Sequence, residues 1–325
     1  MDKHALTVIL LCGYALTVHG AADDMASLAY ISKEKVAQTP KELLALSLEI
    51  ENDLGILRFE MGRASAGPSA VKANGVNPRE AAYIAAALSE KSSRLAAENG
   101  SSSKRTDRAV ATTPVGTSLA TALQNIREVK KKLQASKAMT PSPMPAAASW
   151  DDVFASLYRC STQLDLLLDR QYSSTDEFQA ITTAVHHTAR LLAAFPGAQR
   201  IPPEPDYVAG KSAADIMDTL VFCFTQLSMI ARGAGLPMME ITANPEHQET
   251  QKGEVFNLTN LIVAELAFMH EQTGASKPAQ PVADTSSKLP AHVFQRSGLF
   301  KLQLLELMEN AAANRAWLSK PKTGG

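Results

Sequence analysis

An apolar pattern that recurs along the chain constrains its fold more than any other feature. Five segments place apolar or small residues at steps of four, three, four and three, which lines one face of a helix of about five turns. The clearest copy is Val153, Leu157, Cys160, Leu164 and Leu167, and equivalent sets begin at Leu43, Ile216, Val255 and Val293. Such a helix cannot bury its apolar face alone. The pattern predicts an all-α fold of about eight single-helix repeats of roughly 37 residues, packed as a helical bundle or an α-solenoid.

Start and stop signals mark the helix boundaries. Thr39-Pro40 and Ser149-Trp150-Asp151-Asp152 are typical helix starts, because a capping hydroxyl accepts a bond from a free amide of the first turn. Long linkers that contain Pro and Gly separate the helices, and Ile201–Pro205 predicts an extended strap across them. The predicted helices cover residues 40–62, 78–98, 114–136, 150–171, 175–194, 213–232, 252–272 and 290–318.

The first residues carry the features of a targeting segment. Lys3 precedes an apolar run from Ala5 to Leu16, and small and then acidic residues follow. The run is short for a membrane span and has the flanks of a cleavable secretory signal. We therefore expect residues 1–21 to be a signal peptide, the protein to be periplasmic or secreted, and the mature chain to lack a transmembrane segment.

Two linkers of polar or Ala/Pro-rich composition, Asn99–Arg108 and Ser136–Ala148, lie on either side of the third helix. The apolar residues of that helix are also out of register with the other copies. This predicts a less regular N-terminal helical region over residues 22–145, a C-terminal repeat region over 146–319 and a disordered tail over 320–325.

Cys160 and Cys223 are the two cysteines that would remain after signal cleavage, and they occupy the same step of their repeats. An oxidising compartment permits a disulfide. Pairing needs Cα atoms closer than about 7 Å, which helix axes about 8–10 Å apart meet only in favourable rotations. The two residues are a candidate disulfide, with separate buried thiols as the favoured alternative.

The sequence contains no local motif typical of catalysis, cofactor binding or metal binding. The chain has no CxxCH, CxxC, GxSxG, P-loop or GxGxxG sequence, and His186 and His187 are adjacent, so they point about 100° apart on a helix and cannot grip one metal. We predict no catalytic, cofactor-binding or metal-binding residue and no cofactor. The formal net charge of −1 argues against broad attraction to nucleic acid, so no nucleic-acid partner is expected.

Met and Phe residues cluster in the sixth and seventh predicted helices and in the linker between them. Soft apolar side chains can line a cavity for an apolar ligand, although more often they fill a core. The candidate lining residues are Met217, Phe224, Met229, Met238, Met239, Phe256, Phe268 and Met269.

A polar residue recurs just before the fourth apolar position of the pattern. Such residues can form a buried network, or they can flank a helix interface and keep their polar ends in water. The second interpretation is favoured, because helix bundles normally carry polar flanks. The residues are Asp53, Gln163, Gln226, Glu265 and Gln303.

The sequence does not establish a biochemical activity. The repeats favour an exported, non-enzymatic helical-repeat scaffold or binding protein that acts through an inter-helix groove or a helix face. The alternative is a periplasmic carrier of a small apolar ligand or lipid in a Met/Phe-lined cavity of the C-terminal helices. An all-α enzyme without a local motif is least favoured. The partner would be a protein or a small apolar ligand.

Overall fold

The computed structural model describes residues 39–64, 67–101, 113–135, 145–247, 249–273, 286–314 and 317. The predicted signal peptide, residues 1–21, and the predicted disordered tail, residues 320–325, lie outside them. The predicted all-α class is confirmed, and the described residues contain eight helices and a two-stranded sheet. In chain order these are α1 (Pro40–Glu60), β1 (Val71–Asn74), α2 (Pro78–Glu98), α3 (Val115–Lys132), α4 (Trp150–Leu167), α5 (Ser174–Leu192), α6 (Ala213–Gly233), β2 (Glu240–Ala243), α7 (Lys252–Thr273) and α8 (Pro290–Ala313).

Side-chain caps determine where several helices begin. At α6 the Ser212 hydroxyl accepts a bond from the backbone N–H of Asp215, and the Asp215 carboxylate accepts one from the N–H of Ser212 at 2.9 Å. The same reciprocal pair occurs at the starts of α1, α4 and α5. Helix α5 begins one residue earlier than predicted because Ser173 supplies its cap.

The helices pack in two groups of four. In the first group, α1 and α2 each pack against α3 and α4. In the second, α5 and α6 each pack against α7 and α8. We call these groups the N-bundle (α1–α4) and the C-bundle (α5–α8). Both belong to one compact unit, residues 38–325, whose buried apolar residues form a continuous cluster. The predicted domain division near residue 145 stays a prediction.

The repeated apolar positions form the bundle interiors. Leu164, Leu227 and Leu304, which occupy the same step of three copies, are all fully buried. Helix α3, out of register in the sequence, still buries Leu119 and Ile126 completely. Helix α6 is the one described helix whose length and composition would suffice to cross a membrane, a property that buried helices share. Here it packs against α7 and α8.

The two short strands were not predicted. Strand β1 lies in the α1–α2 linker and β2 in the α6–α7 linker, and they pair antiparallel with Val71 opposite Ala243. Four residues are too few to show an alternating pattern in the sequence. Because its strands come from different bundles, the sheet is one of the connections between the N-bundle and the C-bundle.

The linker between α5 and α6 lies along α8 as an extended strap, which confirms that prediction. The side-chain amide of Gln303 donates to the carbonyl of Arg200 at 2.6 Å, and that of Gln295 donates to the carbonyl of Pro205 at 2.7 Å. The strap runs so close that a Cβ on Gly298 would lie 3.1 Å from the Pro205 ring.

The linker between α1 and α2 has the corresponding place along α4. Near its start Arg63 lies 3.1 Å from the carboxylate of Asp169, and near its end the N–H of Val76 donates to Asp151 at 2.7 Å. Residues 67–70 cross the middle of α4 between these two contacts. This segment forms one wall of the pocket described below.

Cys160 and Cys223 are free, fully buried thiols. Cys160 lies in α4 of the N-bundle, where its thiol donates to the carbonyl of Ser47 at 3.4 Å. Cys223 lies in α6 of the C-bundle. The candidate disulfide is not formed, because equivalent repeat positions in two different bundles need not be close in space. Both residues fill their core, and burial raises the pKa of each thiol.

Candidate functional site

Buried polar contacts connect the bundles. They join α2 and α4 of the N-bundle to α7 and the linker before it in the C-bundle, and we call them the junction. They form three clusters, centred on Lys91, Glu265 and Glu254.

The first cluster surrounds Lys91 of α2, which is only 5% exposed. Its ammonium donates to Ser161 and Asp165 of α4, each at 2.8 Å, and to Asn257 of α7 at 2.6 Å. The Asn257 amide in turn donates to Asp165 at 3.0 Å. Burial lowers the pKa of Lys91 and raises that of Asp165, while their mutual attraction opposes both shifts. All three ammonium hydrogens have partners, which is the arrangement a buried charge requires.

Close packing surrounds this cluster. A Cβ on Gly253 would lie 2.7 Å from a carboxylate oxygen of Asp165, so only glycine fits there without a shift of neighbouring atoms. The ring of Tyr172 stacks on Phe256 with centroids 3.9 Å apart, and the Lys91 nitrogen lies 5.3 Å from the Tyr172 centroid. Phe256 therefore belongs to the junction.

The second cluster pairs Arg79 of α2 with Glu265 of α7. The guanidinium donates to both carboxylate oxygens at 2.8 and 2.7 Å and lies over the ring of Phe268, 3.9 Å from its centroid. Burial raises the pKa of Glu265 to about 7, although Arg79 acts in the opposite direction. Glu80, also fully buried, accepts the N–H of Met239 at 2.8 Å and so ties the α6–α7 linker to α2.

The third cluster holds the linker segment 67–70. The Glu254 carboxylate accepts the N–H of Ala70 at 3.0 Å, and His247 lies 3.3 Å from Glu254 through Nε2 and 2.7 Å from the Pro68 carbonyl through Nδ1. The Asn244 amide donates to the carbonyl of Ser69 at 2.8 Å. Residues of the C-bundle thus fix a segment that lies over the N-bundle.

A pocket of about 290 Å³ lies on the other side of that segment. Inside it, Arg159 of α4 donates to the two carboxylate oxygens of Glu51 on α1, through Nε and Nη2 at 3.2 Å each. The side-chain oxygen of Gln163 is buried and accepts no hydrogen bond. The pocket is lined by polar and apolar surface in equal parts, from α1, α4 and the linker: Glu51, Gly67, Pro68, Ser69, Arg159, Thr162 and Gln163.

The eight candidate lining residues lie in three different surroundings. Five of them are buried in the apolar cluster, namely Met217, Phe224, Met238, Met239 and Met269. Phe256 and Phe268 belong to the junction, and Met229 is 57% exposed. Core filling, the alternative weighed from the sequence, describes most of this set.

The favoured interpretation of the recurring polar position is wrong for three of its five residues. Glu265 and Gln303 are fully buried, and Asp53 is 5% exposed and bonded to Lys130. Each of them bonds to at least one protein group: Glu265 to Arg79, Asp53 to Lys130 and the Gln303 amide N–H to the Arg200 carbonyl. The recurrence was therefore a real signal for buried polar contacts.

Other site residues carried no periodic signal. Lys91 and Arg159 are single charged residues in otherwise ordinary helical segments, and their partners lie in other helices. His187 is buried, and its carbonyl lies 3.1 Å from the His270 ring nitrogen.

Across the described ranges, no three His, Cys, Asp or Glu side chains come close enough to hold a metal ion. Comparisons with protein-family models, curated proteins and solved structures give no match to this chain.

Proposed function

We propose that the protein is an exported, non-enzymatic binding protein of helical-repeat architecture, which acts through the groove between α1 and α4. The pocket beside Arg159 carries this proposal. It lies between two helices and a linker and offers both charges, and its lining includes Gln163, whose buried amide oxygen has no hydrogen-bond partner. A few well-placed polar groups in a concave site are typical of ligand recognition.

The junction supports the proposal, because it holds the pocket wall in place. Segment 67–70 bonds to Asn244, His247 and Glu254 across the interface between the bundles. A wall fixed before binding does not lose freedom when a ligand arrives, and this favours affinity. The buried charges of the junction are already paired with one another, so we assign them this positioning role.

The two bundles support the repeat architecture. In each bundle the first and second helices pack against the third and fourth. In both bundles the linker after the first helix lies along the fourth helix. We propose that the chain consists of helical repeats of which each bundle holds four.

Hydrogen exchange of the purified mature protein tests the proposal. We expect extract from the source organism to slow exchange in peptides from residues 48–57, 67–70 and 156–165, because a bound ligand would cover them. Arg159→Ala should abolish this protection. Arg232→Ala, which removes a comparable exposed ion pair with Glu240 on the C-bundle, should leave it intact.

Two other outcomes would contradict the proposal. Protection confined to α6 and α7 would favour a carrier of a small apolar ligand. Protection that Arg159→Ala leaves unchanged would place binding elsewhere.

A further inference from the structure

We infer that this pocket binds a small zwitterion, a ligand that carries a carboxylate and an ammonium as close together as an amino acid does. The inference rests on the proposed function, since it names the ligand of the same groove. Three observations carry it: paired opposite charges, an unpartnered acceptor and the size of the pocket.

The charges come as a neighbouring pair. Arg159 and Glu51 bond to each other, but their side chains remain 40% and 24% exposed, so both reach the pocket. An arginine has five N–H donors, and Glu51 uses two of them. The remaining donors suit a ligand carboxylate, which arginine binds in a planar fork.

The acceptors suit an ammonium. A carboxylate offers about four lone-pair sites, and Glu51 accepts two bonds from Arg159 and one from the Ser156 hydroxyl at 3.5 Å, so it keeps capacity for one more donor. The buried oxygen of Gln163 accepts nothing from the protein, and a buried acceptor costs free energy until it meets a donor. Its neighbour Thr162 already donates to the carbonyl of Tyr158 at 3.2 Å. Gln163 lines the pocket, so a rotation of its side chain would bring this oxygen within reach of a ligand N–H group.

The balance of charge argues against a simple anion or cation. A lone carboxylate would meet Glu51 next to Arg159, and a lone amine would meet Arg159 next to Glu51. A zwitterion satisfies both groups and leaves the site neutral. The volume of about 290 Å³ is just below the range of roughly 300–1,000 Å³ for ligand pockets, which fits a ligand of amino-acid size.

Calorimetric titration with defined probes tests the inference. Glycine, L-alanine and L-serine are the zwitterions, and sodium acetate and ethylamine carry one charge each. We expect at least one zwitterion to bind at least tenfold more tightly than either single-charge probe. Gln163→Leu and Arg159→Lys should each weaken it tenfold or more, and Arg232→Ala should not change it.

Each other result has a defined meaning. Equal binding of acetate and the zwitterions would overturn the inference, and so would binding that survives both pocket variants. If no zwitterion binds but extract still protects the pocket in hydrogen exchange, the inference fails and the proposed function stands. If the extract gives no protection either, both fail. Thermal unfolding of each variant confirms that loss of binding is not loss of fold.

Discussion

The bundle interiors and the junction between them are stabilised by different kinds of interaction. In the interiors, Leu, Ile, Val and Phe side chains occupy repeated positions with almost no exposure. At the junction, Lys91, Asp165 and Glu265 are nearly as buried, and the Arg79 side chain is 22% exposed. These four residues are joined in pairs by charge-assisted hydrogen bonds. The interiors depend on shape and apolar area, which tolerate modest changes. The junction depends on complete pairing, because a single unpaired charge in it is costly.

This difference explains how the molecule can be two bundles and yet one unit. Apolar surfaces hold each bundle closed and continue from one bundle to the other, while directional bonds fix how one bundle sits on the other. The pocket wall is held by directional bonds of this kind, since hydrogen bonds from residues of the C-bundle fix segment 67–70.

The largest effect should come from breaking the pairing at the junction. Lys91→Ala leaves Asp165 buried without its cation and should lower the free energy of unfolding by about 3–5 kcal/mol, measured by urea titration. The double variant Lys91→Met, Asp165→Leu removes both charges and should recover a large part of that loss. A double variant less stable than the single one would show that the site depends on shape and not on charge.

Truncation of the interiors should cost about 2–5 kcal/mol at each position. Leu164→Ala, Leu227→Ala and Leu304→Ala each remove buried methyl groups and leave a cavity. Asp218→Ala, on the exposed side of α6, should stay within about 0.5 kcal/mol. Similar losses of unfolding free energy at Asp218 and at the leucines would contradict the assignment of the leucines to the bundle interiors.

The pH dependence of stability separates the two regions further. In the folded protein the pKa of Glu265 is raised from 4.5 to about 7. The folded state therefore holds this proton more tightly than the unfolded chain does, and the contribution of Glu265 falls as pH rises from 4.5 to 7. The change is at most about 3 kcal/mol.

Glu265→Gln should flatten the stability profile over that window, as measured by urea unfolding at several pH values. Asp218→Ala should leave the profile as in the wild type. A profile that rises with pH because of Glu265 would mean that attraction to Arg79 outweighs burial.

A smaller effect is expected at a glycine of the junction. The Cβ of Gly253→Ala would meet Asp165 at 2.7 Å, and overpacking of this kind costs about 1–3 kcal/mol. Gly233→Ala, whose Cβ would meet nothing within 4 Å, should be neutral or stabilising. Equal melting temperatures for the two variants would show that the junction has room to adjust.

The same contrast explains what the sequence predicts. Periodicity and caps locate all eight helices, because Leu164 and Ser212 act through neighbours a few residues away. The partners of Lys91 lie on two other helices and are 70 to 166 residues away in the sequence, so no local sequence pattern can predict these contacts. Of the pocket residues, only Gln163 belongs to a recurring position, and the strands of the sheet are too short to leave a pattern.

The two tryptophans test the central claim, that the junction makes the bundles one cooperative unit. Trp150 begins α4 of the N-bundle, and Trp317 is buried against Phe195, which follows α5 of the C-bundle. Trp150→Phe and Trp317→Phe each leave one fluorescent reporter, so urea unfolding can be followed in each bundle separately. With an intact junction the two midpoints should coincide, and with Lys91→Ala added they should separate. Separate midpoints in the intact protein, or coincident midpoints after Lys91→Ala, would contradict the account.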